Sequence, residues 1–394
     1  MRIASFLFLT LFALLIPFSS HATATCEQST EQLDIRIPVV DMRDFTNTEN
    51  RGQFLDTLYG ALTEVGFFAV RNTGVDAHVI REAYARAEEF FKQSSEYKEK
   101  CYAKGLKGQR GFVPGEIAKG NQRKDCKEFY HIGRENALPQ NVWPAESGFK
   151  EAMTTLYNEL EQYVIPLQQA IIETINRHAA EKLPLNLLNA TTKTGDSLLR
   201  ALYYPALSEE QTRDLKQPHY WAAAHTDIDY LAILPYATEK GLQVEKNGQW
   251  LNVVVPDDAF IVNAGDMLEN LTNGLFVSAR HRVVALEPNK ERFSMVLFVH
   301  PTDDTPLDPL PACIELTGGI QRYAPGTRQE FLWERLLELN IAPGLLGLYS
   351  KTGHTERQMQ FGRESPQVVD MLIDNHLASN ELLEAIAQKK EGKI

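Results

Sequence analysis

The sequence predicts a mainly β protein with flanking helices, whose core is a sandwich or jelly roll. Short apolar stretches follow one another after residue 198, and Gly and Pro residues separate them. Many short strands with such punctuation are typical of these two β architectures. Before them, apolar residues at helical spacing over 152–178 predict a long helix packed on the sheet. The seven candidate strands are 198–204, 230–234, 242–244, 250–254, 259–262, 278–285 and 293–299.

The first third of the chain predicts a mixture of strands and helices. Residues 35–40 and 67–70 have strand character, whereas 54–65 and 83–91 have the periodicity of helices. The segment 104–123 is rich in Gly, Lys and Gln and has few apolar residues. That composition predicts a mobile surface loop.

The pattern changes again after Pro301. A stretch rich in Pro and Gly is followed by two segments with helical character, 331–339 and 368–387. We expect the resulting C-terminal extension, 302–394, to cover one face of the sheet. The alternative is that its aromatic residues line a substrate entrance; these are Trp333, Tyr349 and Phe361.

The first 24 residues predict a cleavable secretory signal peptide. Arg2 gives a basic start, the apolar run covers 4–18, and Ala22-Thr23-Ala24 forms a small-residue cleavage site. The run is short for a membrane span, so a retained anchor is the weaker alternative, and a lipid anchor at Cys26 is weaker still. We therefore expect an exported protein, periplasmic or secreted, with no stable membrane span after cleavage.

Four cysteines would remain in the exported protein: Cys26, Cys101, Cys126 and Cys313. An oxidising compartment would permit up to two disulfides, and the sequence selects no pairing.

The net charge of −12 argues against a nucleic-acid partner, because binding phosphates needs a basic surface. We expect a small-molecule substrate instead. Composition indicates nothing about the oligomeric state.

Three residues form a candidate metal site. His225 and Asp227 lie two residues apart, so in an extended segment their side chains point to the same face. His281 would arrive from another strand. Two imidazoles and one carboxylate suit Fe(II) and leave three positions open for a chelating cosubstrate and dioxygen.

A candidate acid-binding site follows the metal motif. Arg292 and Ser294 also lie two residues apart, at the start of an apolar run, and an arginine fork binds a carboxylate with two hydrogen bonds. Two similar patterns, Arg363-Glu364-Ser365 and Asp374-Asn375-His376, lack this strand context, and we interpret them as chance matches.

These clusters resemble the isopenicillin N synthase-like superfamily of iron(II)- and 2-oxoglutarate-dependent dioxygenases. The resemblance covers about residues 35–305. The pieces that carry it are Ile37-Pro38-Val39-Val40-Asp41, Glu64-Val65-Gly66-Phe67-Phe68, Asn72-Thr73-Gly74-Val75, Asp125-Cys126-Lys127-Glu128, Ala201-Leu202-Tyr203-Tyr204-Pro205, Ala224-His225-Thr226-Asp227, Gly241-Leu242-Gln243-Val244, Gly248-Gln249-Trp250, Val262-Asn263-Ala264-Gly265-Asp266, His281-Arg282-Val283 and Arg292-Phe293-Ser294.

The resemblance implies a double-stranded β-helix (jelly-roll) core and a role for each site residue. His225, Asp227 and His281 would be the catalytic iron ligands. Arg292, Ser294 and Tyr204 would bind the distal carboxylate of 2-oxoglutarate. The chain departs from the family at Leu202, where an asparagine is usual.

The resemblance also implies a domain organisation. Residues 35–150 would form the N-terminal region of the oxygenase, and 151–301 would form the helix and the jelly-roll catalytic core. The extension 302–394 would follow them. By the same resemblance the segment 104–123 would lie over the mouth of the active site, where it would either contact the substrate or form a plain solvent loop.

The implied activity is an oxygenase reaction with Fe(II), 2-oxoglutarate and O2, in which ascorbate could serve as reductant. A small organic substrate would be hydroxylated, desaturated or cyclised, with release of succinate and CO2. Two alternatives stay open at this point: an iron oxidase of the same superfamily that needs no 2-oxoglutarate, and a non-catalytic, secreted metal-binding jelly roll. Export adds a requirement, because Fe(II) and 2-oxoglutarate are more plentiful in a reducing cytosol.

Overall fold

The computed structural model describes residues 33–390 apart from 107, 118–123, 146–147 and 214–218. The expected signal peptide and Cys26 lie outside the described residues. The strands are β1 (Asp34–Arg36), β2 (Val39–Asp41), β3 (Phe67–Arg71), β4 (Gly111–Val113), β5 (Glu128–Gly133), β6 (Leu198–Tyr204), β7 (Ala222–His225), β8 (Leu231–Leu234), β9 (Leu242–Lys246), β10 (Gln249–Val254), β11 (Phe260–Ala264), β12 (His281–Val283) and β13 (Arg292–Val299).

The helices lie before, between and after these strands. They are α1 (Met42–Thr46), α2 (Arg51–Glu64), α3 (Ala77–Phe91), α4 (Ser95–Glu99), α5 (Phe149–His178), α6 (Leu187–Thr192), α7 (Glu209–Arg213), α8 (Asp266–Leu271), α9 (Pro311–Leu316), α10 (Arg328–Glu338), α11 (Leu346–Tyr349), α12 (His354–Gln360), α13 (Pro366–Asp374) and α14 (Asn380–Lys390), with short 3-10 turns at Lys104–Leu106 and Pro343–Leu345. None of the helices in the described part of the chain is long and apolar enough to cross a membrane.

Two sheets form the core. The smaller has the order β1-β10-β9-β12-β7, and the larger has the order β2-β3-β11-β8-β13-β6-β5-β4. Strands distant in sequence are neighbours in both sheets, as in a jelly roll. The mainly β fold class with flanking helices is therefore confirmed.

One face of the larger sheet is covered by α2, α3 and α5. The apolar stripe of α5 is almost fully buried, and α5 continues through Pro166. Phe90 of α3 packs in a cluster of rings with Phe112, Tyr130 and Phe149. Because helices close this face, the opposite face is the one that looks toward the smaller sheet and the interior of the roll.

The N-terminal region and the catalytic core share the larger sheet. Strands β2 and β3 extend it beside β11, and β4 and β5 extend it beside β6. The described residues between 33 and 390 cluster as one compact unit. The expected boundary at residue 150 therefore does not separate two sheets, because strands from both sides of it belong to the larger sheet.

Three expected elements differ in the structure. The strand expected over 35–40 is two strands, β1 and β2, which join different sheets, and Pro38 between them lacks the N–H that a continuous ladder needs. The helix expected over 368–387 is two helices, α13 and α14, interrupted where His376 adopts a positive φ of 57°. The described part of the 104–123 segment is not a plain surface loop, because Gly111–Val113 forms β4 and pairs with β5; residues 107 and 118–123 lie outside the described residues.

The C-terminal extension folds as a helical layer with its own apolar cluster. Its first long helix, α10, begins with a capping box between Thr327 and Glu330. Tyr349 is buried in the apolar cluster, together with leucines of α10 and α13. His354 is buried beneath α10, with Nδ1 3.6 Å from Glu330 Oε2 and Nε2 3.3 Å from Glu334 Oε2. The extension is thus held by both apolar contacts and a buried ion cluster.

Candidate functional site

The three candidate metal ligands converge at one edge of the smaller sheet. His225 ends β7 and His281 begins β12, and the two residues are directly paired across these antiparallel strands. Asp227 follows β7 by two residues. The ligand atoms that the three side chains offer all lie within 4.8 Å of one another.

Each ligand is oriented by a hydrogen bond. His225 Nδ1 lies 2.7 Å from the carbonyl oxygen of Ala223, and His281 Nδ1 lies 3.1 Å from that of Ala279. Each Nδ1 can donate to that carbonyl, which leaves Nε2 as the free ligand atom. These Nε2 atoms lie 3.7 and 3.6 Å from the carboxylate oxygens of Asp227.

Asp227 is held by a neighbouring strand. Asn263 of β11, which is buried, donates from Nδ2 to Asp227 Oδ2 at 2.9 Å. Burial would raise the pKa of Asp227, but the two imidazoles and the Asn263 amide outweigh it and lower that pKa. Burial, and then the neighbouring His281, lowers the pKa of His225 to about 3. An ionised carboxylate beside a neutral imidazole is the state that metal ligands need, so the donor set fits a divalent cation such as Fe(II).

The candidate acid-binding residues line the same narrow cavity as the metal ligands. Arg292 and Ser294 point inward from β13, and both line this cavity with the triad. Arg292 is 3% exposed, and its Nε donates to the carbonyl oxygen of Glu239 at 2.9 Å. Its Nη1 is buried and has no hydrogen-bond partner among the described residues. A buried donor without a partner is costly, so this atom favours an anionic ligand in the cavity.

Tyr204 and Leu202 also face this cavity. Tyr204 pairs with Arg292 across β6 and β13, and the Arg292 guanidinium lies 4.9 Å from the centroid of the tyrosine ring. Leu202 lies opposite Ser294. The structure thus brings the six predicted site residues together, and the position that departs from the family is an apolar wall of the cavity.

The two chance matches lie elsewhere. Arg363 packs over the ring of Tyr323, 3.3 Å from its centroid, and His376 is exposed at the end of α13. Neither lines the cavity of the metal ligands. Cys101, Cys126 and Cys313, the cysteines within the described residues, form no disulfide with one another.

A larger chamber opens on the other side of His225 and Asp227. Its volume is about 550 Å³, within the range of small-molecule sites. One wall comes from the sheet and its loops and carries most of the charged residues. The other comes from the C-terminal extension and combines an apolar surface with three polar side chains; its residues are Leu332, Leu336, Leu339 and Ile341, with Arg328, Arg335 and Asn340. The aromatic residues that we considered for an entrance, Trp333, Tyr349 and Phe361, are not among those lining it.

The polar wall is a buried charge network that sequence reasoning missed. Lys127 Nζ lies 2.7 Å from Glu116 Oε1 and 3.0 Å from Asp125 Oδ2. Arg200 Nη1 lies 3.2 Å from Glu116 Oε1, and its Nε donates to His131 Nε2 at 2.7 Å. Burial, and then the positive charge of Arg200, lowers the pKa of His131 to about 3, so this imidazole is neutral and can accept that bond.

One sequence signal could have found this wall. Residues 198, 200, 202 and 204 of β6 share one face, so the face that carries Tyr204 also carries Arg200. A charged residue on an interior face is expensive unless it has partners, which makes it a candidate for a functional role.

Comparisons with known proteins agree with this geometry. Residues 37–146 match the family model for the non-haem dioxygenase in morphine synthesis N-terminal region, and residues 195–301 match that for the 2OG-Fe(II) oxygenase superfamily. Kihadalactone A synthase of Citrus sinensis is 30% identical over 306 residues, which are 70% of this chain and 86% of that protein. The chain belongs to the 2OG-Fe(II) oxygenase superfamily.

Solved structures of this superfamily share the fold. A 2OG-Fe(II) oxygenase family protein from Caulobacter crescentus is 32% identical, with a TM-score of 0.66, and the match covers 77% of this chain and 98% of that one. A full-length Neurospora crassa protein, solved in complex with alpha-KG, is 24% identical with a TM-score of 0.69, over 76% of this chain and 95% of that one, and it supports the fold alone. The prediction of a 2-oxoglutarate-dependent dioxygenase that uses Fe(II) and 2-oxoglutarate is confirmed.

Proposed function

We propose that His225, Asp227 and His281 bind Fe(II) and that Arg292 with Ser294 binds the distal carboxylate of 2-oxoglutarate. One observation carries this proposal: a single cavity is lined by the triad and by a buried arginine whose Nη1 has no partner among the described residues. Bound together, Fe(II), 2-oxoglutarate and O2 supply the oxidising chemistry, which yields succinate and CO2 and hydroxylates, desaturates or cyclises the substrate.

The protein's own residues contribute position and charge. The guanidinium of Arg292 fixes the far end of the cosubstrate, and its ion pair with a carboxylate is strong because water is excluded there. The ring of Tyr204 packs against this guanidinium and limits its rotation. Asn263 holds Asp227 so that one carboxylate oxygen accepts from the amide while the other can face the cation.

We infer that the substrate is an amphiphilic small organic molecule bound in the 550 Å³ chamber. The apolar wall of α10 suits a hydrocarbon surface, and the network of Lys127, Glu116 and Arg200 suits polar groups. The chamber meets the triad at His225 and Asp227, so a bound molecule would lie next to the cation.

The test of this function is succinate formation. The purified protein is incubated with Fe(II), ascorbate and 2-oxoglutarate, and succinate is measured with and without candidate substrates. We expect slow succinate release without substrate. An absence of succinate with every substrate mixture would contradict the cosubstrate role of Arg292 and favour the oxidase alternative, in which this arginine binds the substrate's own carboxylate.

We further propose that the chain is exported and that residues 1–24 are removed. The support is the basic start, the short apolar run and the small-residue cleavage site. The mass of the mature protein and its recovery from the periplasm or the medium test this, and an intact N terminus in the cell would contradict it.

A further inference from the structure

The turn that carries two of the metal ligands is contacted by the C-terminal extension. Arg335 of α10 donates from Nη1 to the carbonyl oxygen of Thr226 at 3.2 Å, across 109 residues of sequence. Thr226 lies between His225 and Asp227, so its peptide group orients both neighbours. Only 15% of the Arg335 side chain is exposed, so this hydrogen bond is largely shielded from solvent.

A second contact of Arg335 reaches the rest of the metal centre through Asp266. Arg335 Nη2 lies 2.8 Å from Asp266 Oδ2. The same carboxylate accepts from Thr226 Oγ1 at 3.0 Å and from Ser278 Oγ at 2.6 Å. The Asp266 N–H donates to the carbonyl oxygen of Asp227 at 2.8 Å. Asp266 therefore ties the ligand turn to the segment that leads into β12 and His281.

The arginine is held in place from its own helix. Its Nε lies 3.2 Å from Glu338 Oε2, one turn along α10, which is an ion-pair contact without the geometry of a hydrogen bond. The planar guanidinium thus donates a hydrogen bond from each Nη atom and is paired in charge with Glu338 at Nε. Lysine could not reproduce this arrangement, because its donors sit on a single nitrogen.

We propose that Arg335 is a positioning residue of the metal centre, and that the C-terminal extension is required for full Fe(II) affinity. The proposal rests on the assignment of His225, Asp227 and His281 as the ligands. Arg335 is not among the residues that line the cavity of the metal ligands and Arg292, although it does line the 550 Å³ chamber. It acts by fixing the Thr226 peptide and the Asp266 carboxylate, on which the geometry of the ligand turn depends.

Considering charge alone, loss of Arg335 should strengthen Fe(II) binding, whereas the proposal predicts weaker binding. The direction of the change in Fe(II) affinity therefore tests the proposal. Loss of Arg335 removes a positive charge near the site and leaves the carboxylates of Asp266 and Glu338 unbalanced. Added negative charge would tighten the binding of a divalent cation. A loss of geometry would weaken it.

The matched control is Arg357 of α12, which also holds the extension together. Its Nη2 donates to Glu330 Oε1 at 2.7 Å, and its Nε donates to the carbonyl oxygen of Pro325 at 3.1 Å. These partners lie within the extension and do not touch the ligand turn. Arg357→Met therefore reports what loosening the extension does by itself.

The experiment measures Fe(II) dissociation constants of the full chain by anaerobic calorimetric titration, with the melting temperature of each variant recorded in parallel. We expect Arg335→Met to weaken Fe(II) binding by about 10- to 100-fold, the usual range for residues that orient metal ligands. Arg335→Lys should weaken it less. Arg357→Met should lower the melting temperature but change the dissociation constant by less than about twofold.

Unchanged or tighter Fe(II) binding in Arg335→Met would overturn the proposal. If that variant does not fold, Arg335→Lys decides, because a dissociation constant equal to the wild type would overturn it equally. An equal weakening in Arg357→Met would also overturn it, since general loosening would then explain the result. His225→Ala tests the underlying assignment separately: if it binds Fe(II) like the wild type, the ligand set itself is wrong.

Discussion

Replacing Arg292 by methionine tests the cosubstrate site most informatively. The guanidinium is almost completely buried, and its Nη1 has no partner among the described residues. A guanidinium fork gives a carboxylate two charge-assisted hydrogen bonds, each about 1.5–3 kcal/mol, so their loss costs about 3–6 kcal/mol. Since about 1.4 kcal/mol is a factor of ten, we expect the KM for 2-oxoglutarate to rise by at least about 100-fold.

The assay is succinate release at varied 2-oxoglutarate and saturating Fe(II), and the control is Arg363→Met. Arg363 belongs to the second Arg-x-Ser pattern, but it packs on Tyr323 outside the cavity of the metal ligands. Its replacement should leave the KM within about twofold of the wild type. If the KM for 2-oxoglutarate were unchanged in Arg292→Met, or raised equally in both variants, Arg292 would not be the residue that binds the cosubstrate's carboxylate.

Three further predictions concern the metal, the chamber and the extension. Asn263→Ala removes the hydrogen bond to Asp227, so Fe(II) affinity measured by titration should fall about tenfold, and no change would contradict this role. Leu336→Trp fills the chamber, so a substrate should no longer stimulate succinate release, while the KM for 2-oxoglutarate should stay within about twofold of the wild type. If the substrate still stimulated succinate release, it would bind elsewhere. Burial lowers the pKa of His354, but its two glutamate partners outweigh burial and raise it, so the folded protein binds this proton more tightly than the unfolded chain. The resulting stability is present below about pH 6.5 and is lost as the pH rises through the raised pKa. The melting temperature should therefore drop less between about pH 6 and pH 8 in His354→Gln than in the wild type. An equal drop in both proteins would refute this role of His354.

The candidate ligand residues could be selected from the sequence because the relevant signals are local. A two-residue spacing places His225 with Asp227, and Arg292 with Ser294, on one face of an extended segment whatever the rest of the chain does. The pairing of His225 with His281 could not be derived in this way, since register between strands some fifty residues apart depends on tertiary packing. The family resemblance supplied that step.

The role of the extension was predicted only in part. Helical periodicity indicated α10, but an arginine on a helix gives no sign of which distant peptide it contacts. Arg335 reaches Thr226 across 109 residues, and that contact exists only in the folded molecule. That the extension covers one face of the sheet stays a prediction. In the structure its leucines line the chamber, whereas the aromatic residues that we considered for an entrance do not.

The most direct test of the central claim compares Asp227→Ala with the wild type. Asp227 is the carboxylate that both imidazoles face, at 3.7 and 3.6 Å. Anaerobic titration should give one Fe(II) per wild-type chain, and the variant should lose both this tight binding and at least about 1,000-fold in Fe(II)-dependent succinate release. A variant that retained wild-type Fe(II) binding and succinate release would contradict the assignment of the metal centre.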